Sequence, residues 1–136
     1  MFRKPLRHVV LPVVSGLLLL TACGPSDSTA QSCLRFDALR VDLEAYEKNP
    51  PSDPEERFQT AEAIASGFDT IRDKARNPEL AEAADALSEM YWTVLDVYYD
   101  NLLLGPDQVI VEVNDRVGLE RANSANLTYE RICGGL

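Results

Sequence analysis

The chain has 136 residues and sets 22 acidic side chains against 13 basic ones, for a formal charge of −9. Such a field repels nucleic-acid phosphates, which argues against DNA or RNA binding as a function class. The length suits one domain and is short for two.

In chain order, the first element is a basic tip followed by a short apolar run. Arg3, Lys4 and Arg7 precede Val9 to Leu20. A run of about a dozen residues falls short of the roughly 20 that span a bilayer, and Pro12 and Gly16 weaken any helix through it. The run ends in Leu20-Thr21-Ala22-Cys23. This order resembles the signal peptide and lipobox of bacterial lipoproteins. The resemblance implies that residues 1–22 are removed and that Cys23 receives a diacylglyceryl thioether as the new first residue. The protein would then be lipid-anchored on the extracytoplasmic face of the cell membrane. Two acyl chains hold durably where one holds marginally, because each buried methylene contributes about 0.8 kcal/mol. A plain secretion signal cut after Ala22 is the competing expectation. The first 22 residues carry three of the 13 basic side chains and no acid, so the remaining 114 residues balance at −12. That surface argues against an electrostatic second anchor to the membrane.

Residues 23–32 have no apolar periodicity and read as a lipidated flexible tether, reaching roughly 30 Å at about 3.3–3.6 Å per residue. A helical domain is expected over residues 33–136. Phe36, Leu39, Leu43 and Tyr46 repeat at three and four residues until Asn49-Pro50-Pro51 ends the first helix. Ser52 or Asp53 can cap the second, with Pro54 at its first position and Glu55-Glu56 in its first turn. Asn77-Pro78-Glu79 repeats that pattern and opens a third helix, whose core stripe includes Leu80, Leu87, Tyr91, Leu95, Tyr98 and Leu102. Gly105-Pro106 ends it, and a fourth helix is expected from Asp107 to Ile132. Val109 to Val113 carries the branched residues of a strand, and Gly118 interrupts the helical run. Helix is preferred there because no second strand is present to pair with it.

Cysteine placement then selects the topology. Cys33 and Cys133 flank the helical region, 100 positions apart. An exported chain meets an oxidising compartment, where such a pair forms a structural disulfide. A redox thiol or a metal ligand lacks its CxxC spacing or its histidine neighbours. Bridged cysteines need Cα atoms within about 7 Å. An even number of antiparallel helices brings both chain ends to one pole, whereas an odd number separates them by a bundle length. The expected fold is therefore all-α, a four-helix up-down antiparallel bundle closed by one disulfide.

Little in the chain suggests catalysis. The single histidine, His8, lies in the leader, which removes the commonest general base and metal ligand from the domain. There is no glycine-rich phosphate loop, GxSxG elbow, HExxH helix or DxDxDG calcium loop. Glu82, Asp85, Glu89, Asp96 and Asp100 read as a solvated acidic stripe. No enzyme activity, cofactor or metal is expected. Aromatics crowd the third helix instead. Tyr91 and Tyr98 fall on its core stripe, while Trp92 and Tyr99 fall on a neighbouring one. Trp92 and Tyr99 complete a wide buried face, or else they form a partly exposed patch for a protein partner. The expectation for function is a noncatalytic binding or envelope-interaction module held to the membrane through Cys23. Its rival is a carrier holding a small apolar ligand between the helices.

Overall fold

Each of the first three helices starts where the sequence supplies a cap, and the caps set the boundaries in the computed structural model, which describes residues 24–101 and 103–134. The leader expected over residues 1–22, the acyl site Cys23 and the stripe residue Leu102 lie outside the described residues. Helix α1 (Thr29–Lys48) begins at Ser28 with a reciprocal capping box. The Ser28 hydroxyl accepts the Gln31 N–H at 3.2 Å, and the Gln31 side chain accepts the Ser28 N–H at 2.8 Å. Helix α2 (Pro54–Lys74) starts from Asp53, whose carboxylate accepts the Glu55 N–H at 3.0 Å. Helix α3 (Pro78–Asp100) starts from Asn77, which accepts the amides of Glu79 and Leu80. In both, proline occupies the position whose N–H has no helical acceptor, and acids face the positive end of the helix.

The chain is all-α, with no named strand among the described residues. Among the described residues there are five helices where four were expected. The expected last helix is two, α4 (Pro106–Val117) and α5 (Glu120–Cys133). Gly118 makes the break, at φ +70° and ψ 154°, a conformation open to glycine and strained for any residue with a Cβ. The branched stretch 109–113 is helical. Val109 and Val113 sit one turn apart and bury their side chains against Val97 and Tyr98, and that packing overrides strand propensity.

Helices α2 and α3 form a long hairpin. Helix α1 packs on α2, α5 packs on α3, and α4 packs on α3 as well. Ion pairs fix the direction of α5, joining Arg121 to Asp85 and Glu89 and Arg131 to Glu79, so α5 runs antiparallel to α3. The main core lies between α1, α2, α3 and α5. Its centre is aromatic: Phe36 lies 4.9 Å from Tyr129 and 5.8 Å from Phe68 between ring centroids, and Phe68 stacks on Tyr91 at 5.8 Å. A second apolar cluster, of Val97, Tyr98, Val109 and Val113, joins α4 to the far end of α3.

The first and last helices meet near Cys33 and Cys133. Cys33 and Cys133 have Cα atoms 5.5 Å apart, the separation of a bridged pair. The segment expected to be a loose tether is largely attached to the domain. Helix α1 starts four residues before Cys33. The amides of Ser26 and Asp27 donate to the Lys74 carbonyl at 3.0 and 2.8 Å, and the Arg76 amide donates to the Asp27 carbonyl at 3.1 Å. Asp27 is only 7% exposed, and its carboxylate takes the Arg35 Nε–H at 2.5 Å. Polar residues without periodicity bind here through their backbone, a route that apolar spacing does not reveal.

Cys33 and Cys133, 100 positions apart in sequence, stand at bridging distance, and replacing both with serine tests the cross-link expected between them. The expected loss is about 2–5 kcal/mol, read as a lower urea midpoint with an unchanged circular-dichroism spectrum at zero denaturant.

Candidate functional site

The most distinctive side-chain arrangement is centred on Asp69 of α2 and reaches across to α3. Helical spacing places Ser88 and Trp92 four residues apart on α3, so both face the same point on α2. Asp69 Oδ1 accepts from Ser88 Oγ at 2.5 Å and from an Arg72 guanidinium nitrogen at 2.8 Å, while Oδ2 accepts from Trp92 Nε1 at 2.9 Å. Ser88 is buried, so its hydroxyl needs this acceptor. The network continues outward: Arg72 also meets Asp73 and Asp85, and Arg121 of α5 meets Asp85 and Glu89. The acids expected to form a solvated stripe thus include two, Asp85 and Glu89, that tie α3 to α5.

Burial pushes the Asp69 carboxyl toward its neutral form. The bonds donated by Ser88 and Trp92, with the Arg72 ion pair, outweigh that penalty and lower its pKa below the usual aspartate range. The Asp69 arrangement is a structural clasp for the helices, and it changes the meaning of Trp92. The indole is 39% exposed, yet its N–H is committed to the clasp. Spacing alone does not show this, because the partner lies on another helix.

Tyr99 is placed differently. It is 81% exposed, near the end of α3, two turns beyond Trp92 and on the same side of the helix, with the exposed Asp96 between them. Seven residues at about 1.5 Å rise put the two rings roughly 10 Å apart along the axis. The core stripe is buried as the periodicity requires, with Tyr91, Leu95 and Tyr98 inside. The Tyr98 hydroxyl meets that of Tyr46 at 3.0 Å. Trp92 and Tyr99 therefore belong to the outer face, one tethered and one free of the core. Exposed apolar side chains continue beyond α3 at Leu103 and on α4 at Ile110 and Val111.

A carrier needs enclosed space between its helices. The depressions among the described residues open to solvent instead. One groove of about 470 Å³ between α1 and α2 is lined by Tyr46, Pro51, Gln59 and Ala63 among others, another of about 520 Å³ lies at the junction of α4 and α5, and a smaller one of about 180 Å³ lies between α3 and α5. The interior positions are filled by Phe36, Phe68, Tyr91 and Tyr129. No group of three or more metal-ligating side chains occurs among the described residues, and no described helix is long and apolar enough to cross a membrane.

Two measurements separate clasp from surface. Asp69→Asn is expected to destabilise the protein by about 1–3 kcal/mol at neutral pH. The native carboxyl holds its proton less tightly than the unfolded one, so its contribution is full above the unfolded pKa near 3.9 and is lost as pH falls through the lower native value. The stability gap between parent and variant should therefore close below about pH 4, followed by urea titration across the pH range. Trp92→Phe removes the donor together with part of the ring and should cost at least about 0.5–1.5 kcal/mol, while Tyr99→Ala should change stability by less than about 0.5 kcal/mol. Equal losses in thermal melts would contradict the division between tethered and free aromatics. No family model, no curated protein and no solved structure matches the chain, so function is read from its residues alone.

Proposed function

We propose that the protein is a lipid-anchored extracytoplasmic module of a bacterial envelope, acting by binding rather than by catalysis. The observation that carries this reading is the order of the first 23 residues: basic tip, short apolar run, then Leu20-Thr21-Ala22-Cys23. Diacylglyceryl transfer to the Cys23 thiol supplies a two-chain anchor, and cleavage before Cys23 frees the domain from its leader.

The paired cysteines support the same compartment. A disulfide between Cys33 and Cys133 persists where the surroundings are oxidising, and their Cα separation of 5.5 Å fits one. In this reading the five helices act as a bundle of four antiparallel rods, with α4 and α5 sharing the fourth position. Binding is favoured over chemistry because no histidine follows residue 23 and the carboxylates are exposed or engaged in ion pairs. The candidate contact surface is the outer face of α3, with Tyr99 as its most exposed aromatic and Trp92 at its edge. An exposed tyrosine supplies large, amphipathic contact area to a protein partner.

Cys23→Ser tests the anchor. The parent is expected in the membrane fraction, with thioether and acyl mass on a peptide beginning at residue 23. The variant is expected to stall before cleavage or to leave the membrane fraction. Parent material that begins at residue 23 without acyl mass overturns the reading.

A further inference from the structure

The geometry points to the turn between α2 and α3 as the face of the protein that rests on the bilayer, with Lys74 and Arg76 set against headgroup phosphates. This rests on acylation at Cys23 as proposed above. Only Gly24 and Pro25 separate Cys23 from Ser26, whose amide is held by the Lys74 carbonyl at 3.0 Å. Three residue steps at about 3.3–3.6 Å each reach roughly 10 Å. An acylated Cys23 therefore lies within that distance of the turn, well short of the reach of a free ten-residue tether. Arg76 shortens the leash further, since its Nε donates to the Pro25 carbonyl at 3.4 Å. Acyl chains in the hydrocarbon place Cys23 at the headgroup boundary, and the turn is drawn there with it.

The charges at this pole suit that position. Lys74 and Arg76 are exposed, and among the described residues neither has a carboxylate within ion-pair distance. The acids around them are already engaged, Asp27 by Arg35, Asp73 by Arg72 and Glu79 by Arg131. An acidic domain thus presents two free cations at the one place where its chain meets the anchor, and cations near anionic lipid are attracted over about a Debye length. The rest of the molecule is carried outward. Helix α1 rises for 20 residues from the clasped segment, about 30 Å at 1.5 Å per residue, and Lys48 stands exposed at its far end.

Lys48 and Lys74 are the only lysines beyond residue 23, and they mark opposite poles. The acylated protein is reconstituted in vesicles of phosphatidylcholine and phosphatidylglycerol and treated with a bulky, membrane-impermeant amine reagent, with labelling read by peptide mass spectrometry. Relative to soluble Cys23→Ser protein, Lys74 labelling is expected to fall several-fold while Lys48 labelling stays the same. A Gly/Ser spacer inserted after Gly24, with a reach of roughly 30 Å, should restore Lys74. Arg76→Glu should raise Lys74 labelling on these vesicles. Acylated protein whose Lys74 and Lys48 react alike, or whose Lys48 is the protected one, overturns the orientation and leaves the anchor standing. No change with Arg76→Glu overturns the headgroup contact. Absence of acyl mass at Cys23 instead removes the anchor reading on which the orientation rests.

Discussion

The structure depends on closing a ring of helices at a single seam. Helix α1 packs on α2 and α5 packs on α3, and the contact between α1 and α5 ties the two outer helices to each other. That seam is layered. Cys33 faces Cys133, Phe36 lies against Tyr129 at 4.9 Å, and the Tyr129 hydroxyl donates to Asp37. Burial, with that hydrogen bond to a carboxylate, pushes the Tyr129 phenol up to about 12, so it remains a donor at every pH the protein is expected to meet. A cysteine pair at bridging distance at one level and an aromatic contact one turn above it suit a helix as polar as α1. That helix fully buries only Ser32, Cys33 and Phe36.

Polar contacts then decide how the inner hairpin sits. The Asp69 carboxylate collects donors from two α3 residues and one α2 residue, and all of these approach from defined directions. Apolar packing between helices tolerates small slides, whereas a carboxylate shared among a serine, an indole and a guanidinium tolerates few. Gly67, two residues before Asp69, makes the opposite side of α2 accessible: a Cβ there would collide with the tip of Leu39, so its absence lets α1 lie close. One turn of α2 thus organises both of its neighbours.

Much of the fold was legible because the sequence writes helix starts plainly. Asp53-Pro54-Glu55 and Asn77-Pro78-Glu79 gave the starts of α2 and α3 to the residue, and the expected proximity of Cys33 and Cys133 agrees with their 5.5 Å separation, although the even helix count drawn from it meets five helices among the described residues. The split between α4 and α5 was only half visible. Gly118 was recognisable as an interruption, but that it adopts positive φ depends on where α5 must go to meet α3. The docking of Ser26 and Asp27 was invisible, since it consists of backbone hydrogen bonds to a turn about 50 residues away. At the candidate surface, periodicity put Trp92 and Tyr99 on a different stripe from Tyr91 and Tyr98, but it left open whether that stripe was buried, and both side chains are exposed. It carried no information on Asp69, because a hydrogen bond between helices leaves no mark in the spacing of either one.

The division of the interior into two apolar clusters has a dynamic corollary. Helix α4 buries Val109 and Val113, and it is joined to α5 through Gly118, beside which a Cβ would meet open space. The larger cluster draws on four helices and shares only Phe58, Met90 and Val94 with the smaller one. Local opening follows the weakest attachment, so α4, held by this small cluster and by the Arg116–Asp100 ion pair, is the helix expected to lift first while the others keep their packing. Such an excursion would uncover Val97 and Tyr98, giving the far pole a transient greasy surface absent from the resting fold.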